Sequence, residues 1–254
     1  MYVPHRRPVP SLTRGLHDLR EVLRSQTQRL TGNRIHPMVN RVGGLAADAT
    51  GDWMLRERAA MTAARSIVHQ VAELLDSAEL SALTRTVAPM TRDTIEQYGV
   101  TGPAARASGA DLDLRRHRPY LAYAELAPLI PAAVATDGDA WSRMRLLTDE
   151  ILTSADLVDA CADRLDQLSG PVDVKLNKIV KLPEGETYLA VEAPLGVAGV
   201  FLVSRGEKTP WRLKLRTPSF NNVAALEAVL VGVPVTALEA TLASIGYVVG
   251  DIDR

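Results

Sequence analysis

YGVTGPAARASGADLDLRRHRPYLAY, residues 98–123, decides how the rest of the chain is read. Gly99, Gly102 and Gly109 surround Pro103, a pattern that permits tight backbone turns and close packing against another element. Arg115, Arg116, His117 and Arg118 follow as a basic tetrad with no aromatic platform for nucleic acid, and a solvated or interface-facing stretch is expected there.

Upstream, apolar residues recur with helical period. Pro4, Pro8 and Pro10 make residues 1–10 an extended arm, because proline disfavours helix at its own position and at the one before it. Leu12, Leu16, Leu19, Leu23 and Leu30 then predict an amphipathic helix over about 12–30, stopped by Gly32. Pro37, Gly43, Gly44 and Gly51 punctuate a loop. Met54, Met61, Ala64, Val68, Val71 and Leu75 predict a second helix over about 52–76. Short helices are expected at about 79–87 and 91–98, the latter with Asp93 and Glu96 at capping-box spacing and Gly99 at its end.

Downstream, a stripe from Trp141 through Met144, Leu147, Ile151, Ala155, Val158 and Cys161 to Leu168 predicts the longest helix, about 139–168. Asp137 is its candidate cap and Gly170-Pro171 its stop. Cys161 lies on that stripe and reads as a small buried hydrophobe. Beyond Gly170 the period changes to two. Strands are expected at about 187–193, 198–204 and 210–216, where Trp211, Leu213 and Leu215 alternate with Arg212, Lys214 and Arg216. Two short helices are expected around Gly232-Val233-Pro234. The fold class is therefore α+β, mainly α: an arm over 1–10, a helical core over 11–170, and a small antiparallel sheet with short helices and a tail over 171–254.

Composition narrows the chemistry. In 254 residues, 46% hydrophobic, there is apolar material for a sizeable core. Charge is balanced at a formal -1, so no nucleic acid is expected as partner. One cysteine excludes an internal disulfide and any cluster ligated by several thiolates of this chain. The five histidines are scattered, without HExxH spacing, and no metal site is expected. Neither a Walker A loop nor a strand-flanked GxGxxG occurs, and a Ser/His/Asp hydrolase finds no GxSxG elbow. The MYVPHRRPVP start has no apolar segment behind it and is not read as a secretory signal. The most apolar tract, Val223 to Val235, is shorter than the ~20 residues of a membrane span. A cytoplasmic protein is expected, any membrane association running through partners.

Several segments together carry a resemblance. TGNRIHPMVNRVGG (31–44) supplies Gly32, Arg34, His36, Arg41, Gly43 and Gly44. The opening stretch supplies Gly99, Gly102, Pro103, Arg106, Ser108, Gly109, Asp113, Arg115, Pro119, Tyr120 and Tyr123. Gly138 to Arg143 with Arg145 and Glu150, the pair EAPLGVAGVFLVS and PWRLKLRTPSF, and the tail GDIDR complete it. From about Val9 to Arg254 the chain resembles the hydrogenase-like D-type subunit of bacterial NADH:quinone oxidoreductase, respiratory complex I, a relative of nickel–iron hydrogenase large subunits.

That resemblance implies an electron-transport oxidoreductase subunit, inactive alone, that passes electrons from NADH toward quinone. It places His36 beside the terminal iron–sulfur cluster of a partner subunit, with Arg34 and Arg41 facing that partner and Arg106 lining a subunit interface. A histidine near a cluster can hydrogen-bond its sulfurs and couple its own titration to the electron. Read from the residue alone, His36 before Pro37 satisfies a loop carbonyl. This chain is expected to bind no cofactor itself; the cluster belongs to a partner and quinone is the substrate of the assembly. Implied partners are the cluster-bearing subunit, a polypeptide supplying the family's N-terminal half with its quinone-contacting residues, and, indirectly, membrane subunits.

The chain departs from the family pattern. Leu112 stands where an aromatic is usual, Leu195 and Val197 where Lys and Glu are usual, and Ala237 and Gly246 at two acidic positions. At the GDIDR tail, where hydrogenases carry metal-ligating cysteines, there are none. These departures favour the alternative of a non-catalytic paralogue acting as scaffold or assembly component.

Overall fold

The computed structural model describes residues 10–177 and 181–253. It is mainly helical with a small antiparallel sheet late in the chain, the class its periodicities predict. Two compact units form, each from two separated stretches: one holds 10–71 and 151–177, the other 72–150 and 181–253.

In the first unit, α1 spans Pro10–Thr31 and α2 spans Gly51–Leu75, the latter with its last residues in the second unit. The arm expected over 1–10 falls outside the described residues except for Pro10, which opens α1, a position where its missing N–H is not needed. Gly32, at φ 78°, ends α1 as expected, and its N–H donates to the Gln28 carbonyl at 2.8 Å. The two helices lie close at Gly15, where a Cβ would come within 2.8 Å of Ile67 Cδ1. Ala60 and Met61 of α2 pack with Leu23 and with Ala155 and Val158. Arg65 donates to Asp156 at 2.8 Å and to Asp159 at 2.7 Å, while Arg58 reaches Asp163 at 2.7 Å. Between α1 and α2, β1 (Asn40–Arg41) and β2 (Gly44–Leu45) form a small antiparallel hairpin.

In the second unit, α3 (Ala78–Thr84) is capped by Ser77 and α4 (Arg92–Tyr98) by Thr91, whose Oγ1 accepts the Thr94 N–H at 3.2 Å. Thr91, not the Asp93/Glu96 pair, is thus the cap; it stands in the extended conformation an N-cap requires. Gly99 closes α4 in the left-handed region at φ 65°. Short helices α5 (Pro103–Arg106), α6 (Leu114–His117) and α7 (Tyr123–Leu126) lead to α8, Ala140–Leu165, which continues into the first unit. Asp139 rather than Asp137 caps α8, with Oδ1 accepting the Ser142 N–H at 2.8 Å. The helix ends at Leu165, before Gly170-Pro171, and Leu168 is exposed.

Strands β3 (Gly185–Ala193), β4 (Gly196–Ser204) and β5 (Arg212–Arg216) form a meander in that order, with Val200 opposite both Leu189 and Leu215. The helices α9 (Pro218–Ala224), α10 (Leu226–Val229) and α11 (Leu238–Ile245) follow, three where two were expected between Asn221 and Gly246, and α12 (Val249–Ile252) lies in the tail. The core gathers Met90, Ile95, Val100, Ala104 and Ala105 around Ala225, Leu226, Val229 and Ile245, so the 98–123 stretch packs on the C-terminal helices. Among the described residues no helix is long and apolar enough to cross a membrane.

Candidate functional site

The Arg34 to Arg41 segment is built by local polar geometry. Thr31 Oγ1 donates back to Thr27 O at 2.8 Å, and Asn33 Oδ1 accepts the N–H groups of Ile35 at 2.9 Å and His36 at 3.0 Å. This is an Asx turn, which holds the chain leaving α1 in one course without regular structure. Arg34 is anchored to Glu21 and reaches Gln28 Oε1 at 3.4 Å. His36 and Arg41 are exposed, and among the described residues the His36 ring has no loop-carbonyl partner. Around them Ile35, Met38 and Val42 are 68%, 82% and 79% exposed. Basic and apolar groups thus share one uncovered loop.

The Gly43-Gly44 pair is a turn with a packing requirement. A Cβ on Gly44 would lie 2.2 Å from the Val172 carbonyl oxygen, and one on Gly43 would lie 3.0 Å from that of Val174. That close approach lets Leu45 N–H donate to Val172 O at 3.0 Å and Val174 N–H to Gly43 O at 2.9 Å.

Arg106 lies elsewhere, in the second unit, and its side chain is 3% exposed. Its Nη2 donates to Glu150 Oε1 at 2.6 Å, and its Nη1 to Glu192 Oε1 and the Leu112 carbonyl, both at 3.1 Å. Arg115 completes the cluster: Nη2 reaches Asp113 Oδ2 at 2.6 Å and Glu150 Oε2 at 2.9 Å. Arg115 therefore departs from the solvated tetrad expected of it. The Asp-x-Arg spacing makes Asp113 cap α6 and grip Arg115 at once, with Oδ1 accepting the Arg115 N–H at 2.9 Å. Of its neighbours, Arg116 pairs with Asp111 at 2.9 Å and Arg118 is exposed.

Two guanidinium groups thus face three carboxylates. Burial opposes charge on Asp113, but the hydrogen bonds and charge of Arg115 outweigh it and hold the carboxyl below its usual range. For Glu192 burial prevails over the Leu114 N–H and Arg106, and its pKa is raised. Tyr120 closes the end of β3, its hydroxyl donating to Glu192 O at 3.3 Å and accepting the Glu192 N–H at 3.2 Å.

The glycines of the opening stretch have a specific task here. Cβ atoms on Gly102 (φ 73°) and Gly196 (φ 135°) would lie 2.4 Å from Leu195 O and 2.5 Å from Thr101 Oγ1, so the loop before α5 and the β3–β4 turn touch backbone to backbone. Asn222, fully buried, fastens both: it accepts the Thr101 N–H at 3.2 Å and donates to Leu195 O at 3.0 Å. The tail is held through Asp251, which accepts Ser219 Oγ–H at 2.8 Å.

Asn222 had no part in the reading of the sequence, and Arg143 entered it only as the last residue of the Gly138–Arg143 segment, with no role of its own. Asn222 lies in an unremarkable Asn-Asn pair. Arg143, by contrast, stands at the helical spacing of the buried residues Ala140, Met144 and Leu146, and that spacing was its signal. Fully buried, it donates to Ala88 O and Ser244 Oγ at 3.0 Å and to Gly138 O at 2.5 Å, and burial, opposed by Asp139, pushes its pKa down to about 10. Its Nη2 has no hydrogen-bond partner among the described residues. Cys161 is half-buried and its thiol is pushed up by burial. Among the described residues no group of three or more His, Cys, Asp or Glu side chains is placed to hold a metal.

The described residues form a mainly helical α+β fold with an exposed Arg-x-His loop and a buried Arg–carboxylate network. The family model for the respiratory-chain NADH dehydrogenase 49 kDa subunit matches residues 12–182 and 174–254, and the chain belongs to that family. It is 46% identical to the first of the D-type subunits of NADH-quinone oxidoreductase in Streptomyces coelicolor and 47% identical to the second in Salinispora tropica; 92% of the chain is covered in both, against 62% and 60% of those proteins. A fused C/D-type subunit of the NADH-quinone oxidoreductase of Bacteroides fragilis is 31% identical over 94% of the chain and 44% of its own length. The chain thus spans about three fifths of the length of these two relatives.

Proposed function

We propose that this chain is a subunit of an NADH:quinone-oxidoreductase-type assembly, peripheral at the inner face of the cell membrane, that sets its 34–41 loop against an iron–sulfur-cluster-bearing partner on the electron path to quinone. The observation that carries this reading is that loop: Arg34, His36 and Arg41 stand on an Asx-pinned segment with exposed Ile35, Met38 and Val42. A polypeptide interface would cover the apolar residues and bring the imidazole within reach of a cluster sulfur. The cluster must come from the partner, since Cys161 is the chain's one thiol. Arg106 acts on any interface through Glu150 and Glu192 rather than by direct contact.

The test is electron paramagnetic resonance on the complex purified through a tag on this chain. His36→Ala is expected to flatten the pH dependence of the cluster midpoint potential while every partner still co-purifies. An unchanged potential and spectrum at every pH refutes the role of His36.

One observation favours a non-catalytic scaffold. A Cβ on Gly246 would lie 2.9 Å from Leu195 Cδ2, so two positions at which the family resemblance leads one to expect opposite charges meet here as apolar groups. Intact assembly with no quinone reductase activity in the tagged complex decides for that reading.

A further inference from the structure

The exposed edge of the small sheet is unsatisfied in a directional way. Among the described residues β5 and β3 each pair only with β4, and Tyr120 closes the Glu192 end of β3. An open edge presents backbone donors and acceptors that another strand can use. The two faces of β5 differ sharply. On one, Leu213 and Leu215 are 52% and 47% exposed and continue across the sheet into Val200 and Leu189, which are 40% and 64% exposed. On the other, Arg212 and Lys214 are exposed and no ion pair engages them among the described residues, while the half-buried Arg216 donates to Gly99 O at 2.8 Å.

Two concavities border β5. Lys214 and Arg212 flank a hollow of about 460 Å³ with Tyr188 and Phe201. A second hollow of about 600 Å³ is lined by Leu213 and Leu215 together with Lys214 and Arg216 and runs to Phe220 and Ile252. The acidic residues of β3 on the basic face are Glu186 and Glu192, and Glu192 is already held by Arg106.

We propose that β5 is a docking edge for an extended segment of another polypeptide in which acidic and apolar residues alternate, added to the sheet as a fourth strand. Period two requires this pattern: residues facing Arg212 and Lys214 are acidic, and those between them lie over the apolar face beside Leu213 and Leu215. A second copy of the chain is disfavoured by the same charges. Antiparallel pairing of two β5 strands sets cations opposite cations at about 5 Å, a destabilising cross-strand arrangement. A lipid surface cannot use the edge, because hydrocarbon offers no partner to backbone N–H and C=O groups.

The experiment uses the full chain and two fluorescein-labelled peptides of about eight residues, one alternating Glu and Val, the other Lys and Val, read by anisotropy at low ionic strength. The Glu/Val peptide is expected to bind at least about 10-fold more tightly. The variant Arg212→Glu/Lys214→Glu is expected to invert that preference with an unchanged circular dichroism spectrum. Its charge-neutral counterpart Arg212→Gln/Lys214→Gln is expected to abolish it. Equal or absent binding of the two peptides overturns the proposal, as does failure of the preference to invert. Binding of vesicles of anionic phospholipid that displaces the Glu/Val peptide, or a sedimenting homodimer that excludes it, overturns it in favour of those occupants.

Discussion

Replacing Arg106 by methionine keeps most of the stem and removes the guanidinium from a site where it and Glu192 are each 3% exposed. Asp113, Glu150 and Glu192 are then left around Arg115 alone. Breaking a buried pair by removing one partner costs about 3–5 kcal/mol, because the remaining charge stays desolvated. With a urea slope near ~3 kcal/mol/M, the unfolding midpoint of the second unit should fall by roughly 1–1.7 M. The fluorescence of Trp141 reports that unit selectively in a Trp53→Phe/Trp211→Phe background; its indole N–H donates to Leu75 O at 3.1 Å under the Arg85 guanidinium. The deficit also carries a pH signature. Glu192 already has a raised pKa, and losing Arg106 raises it further, so the folded variant binds that proton more tightly than the unfolded chain does. Stability relative to the parent is therefore lowest at pH 7 and recovers as pH falls through the folded-state pKa toward the unfolded value of 4.5. Adding Glu192→Gln, which can still accept the Leu114 N–H, should restore about 1 kcal/mol or more. A loss below about 1 kcal/mol, or one equal at pH 5 and pH 7, refutes the charge-network reasoning.

Gly102→Ala combines a positive φ with a 2.4 Å overlap on Leu195 O and should cost about 3 kcal/mol or more, seen as faster hydrogen exchange at the β3–β4 turn; native-like protection there contradicts it. Asn222→Leu leaves the Thr101 N–H and the Leu195 carbonyl without partners in a fully buried site, and about 2–4 kcal/mol should be lost in urea melts. His36→Ala, at an exposed ring, should shift stability by less than about 0.5 kcal/mol, so a larger drop would point to a structural role. Cys161, raised above the ordinary thiol value of 9.0 by burial, should react with a disulfide reagent at pH 8 at least about 10-fold more slowly than a free thiol, and at the free rate in urea.

The long helices were legible because α1, α2 and α8 repeat apolar residues over several turns, and WRLKLR shows its period of two in six letters. Capping was not. Asp93 and Asp137 each have the right chemistry, but Thr91 and Asp139 stand just before the first helical turn, a placement that depends on the register of that turn. The tetrad at 115–118 was misread at Arg115 because Glu150, which holds it in the buried cluster, lies 35 residues away in sequence. Asn222 escaped for the same reason, since its bonds run to Thr101 and Leu195. Arg34, His36 and Arg41 could be singled out by motif, but their exposure is a property of the folded loop.

The interleaving of the two units sets an order of events on the ribosome. The second unit has its first half complete at Glu150, yet the strand pair that satisfies Arg106 and Gly102 begins only after residues 151–180 have been made. At synthesis rates of about 5–20 residues per second, those roughly 30 residues alone impose a delay of about 1.5–6 s. Through that interval and the further synthesis up to residue 245, the apolar surface of Val100, Ala104 and Ala105 waits for Ala225, Leu226 and Ile245. Nascent chains stalled between about residues 150 and 245 should therefore be the ones that recruit chaperones.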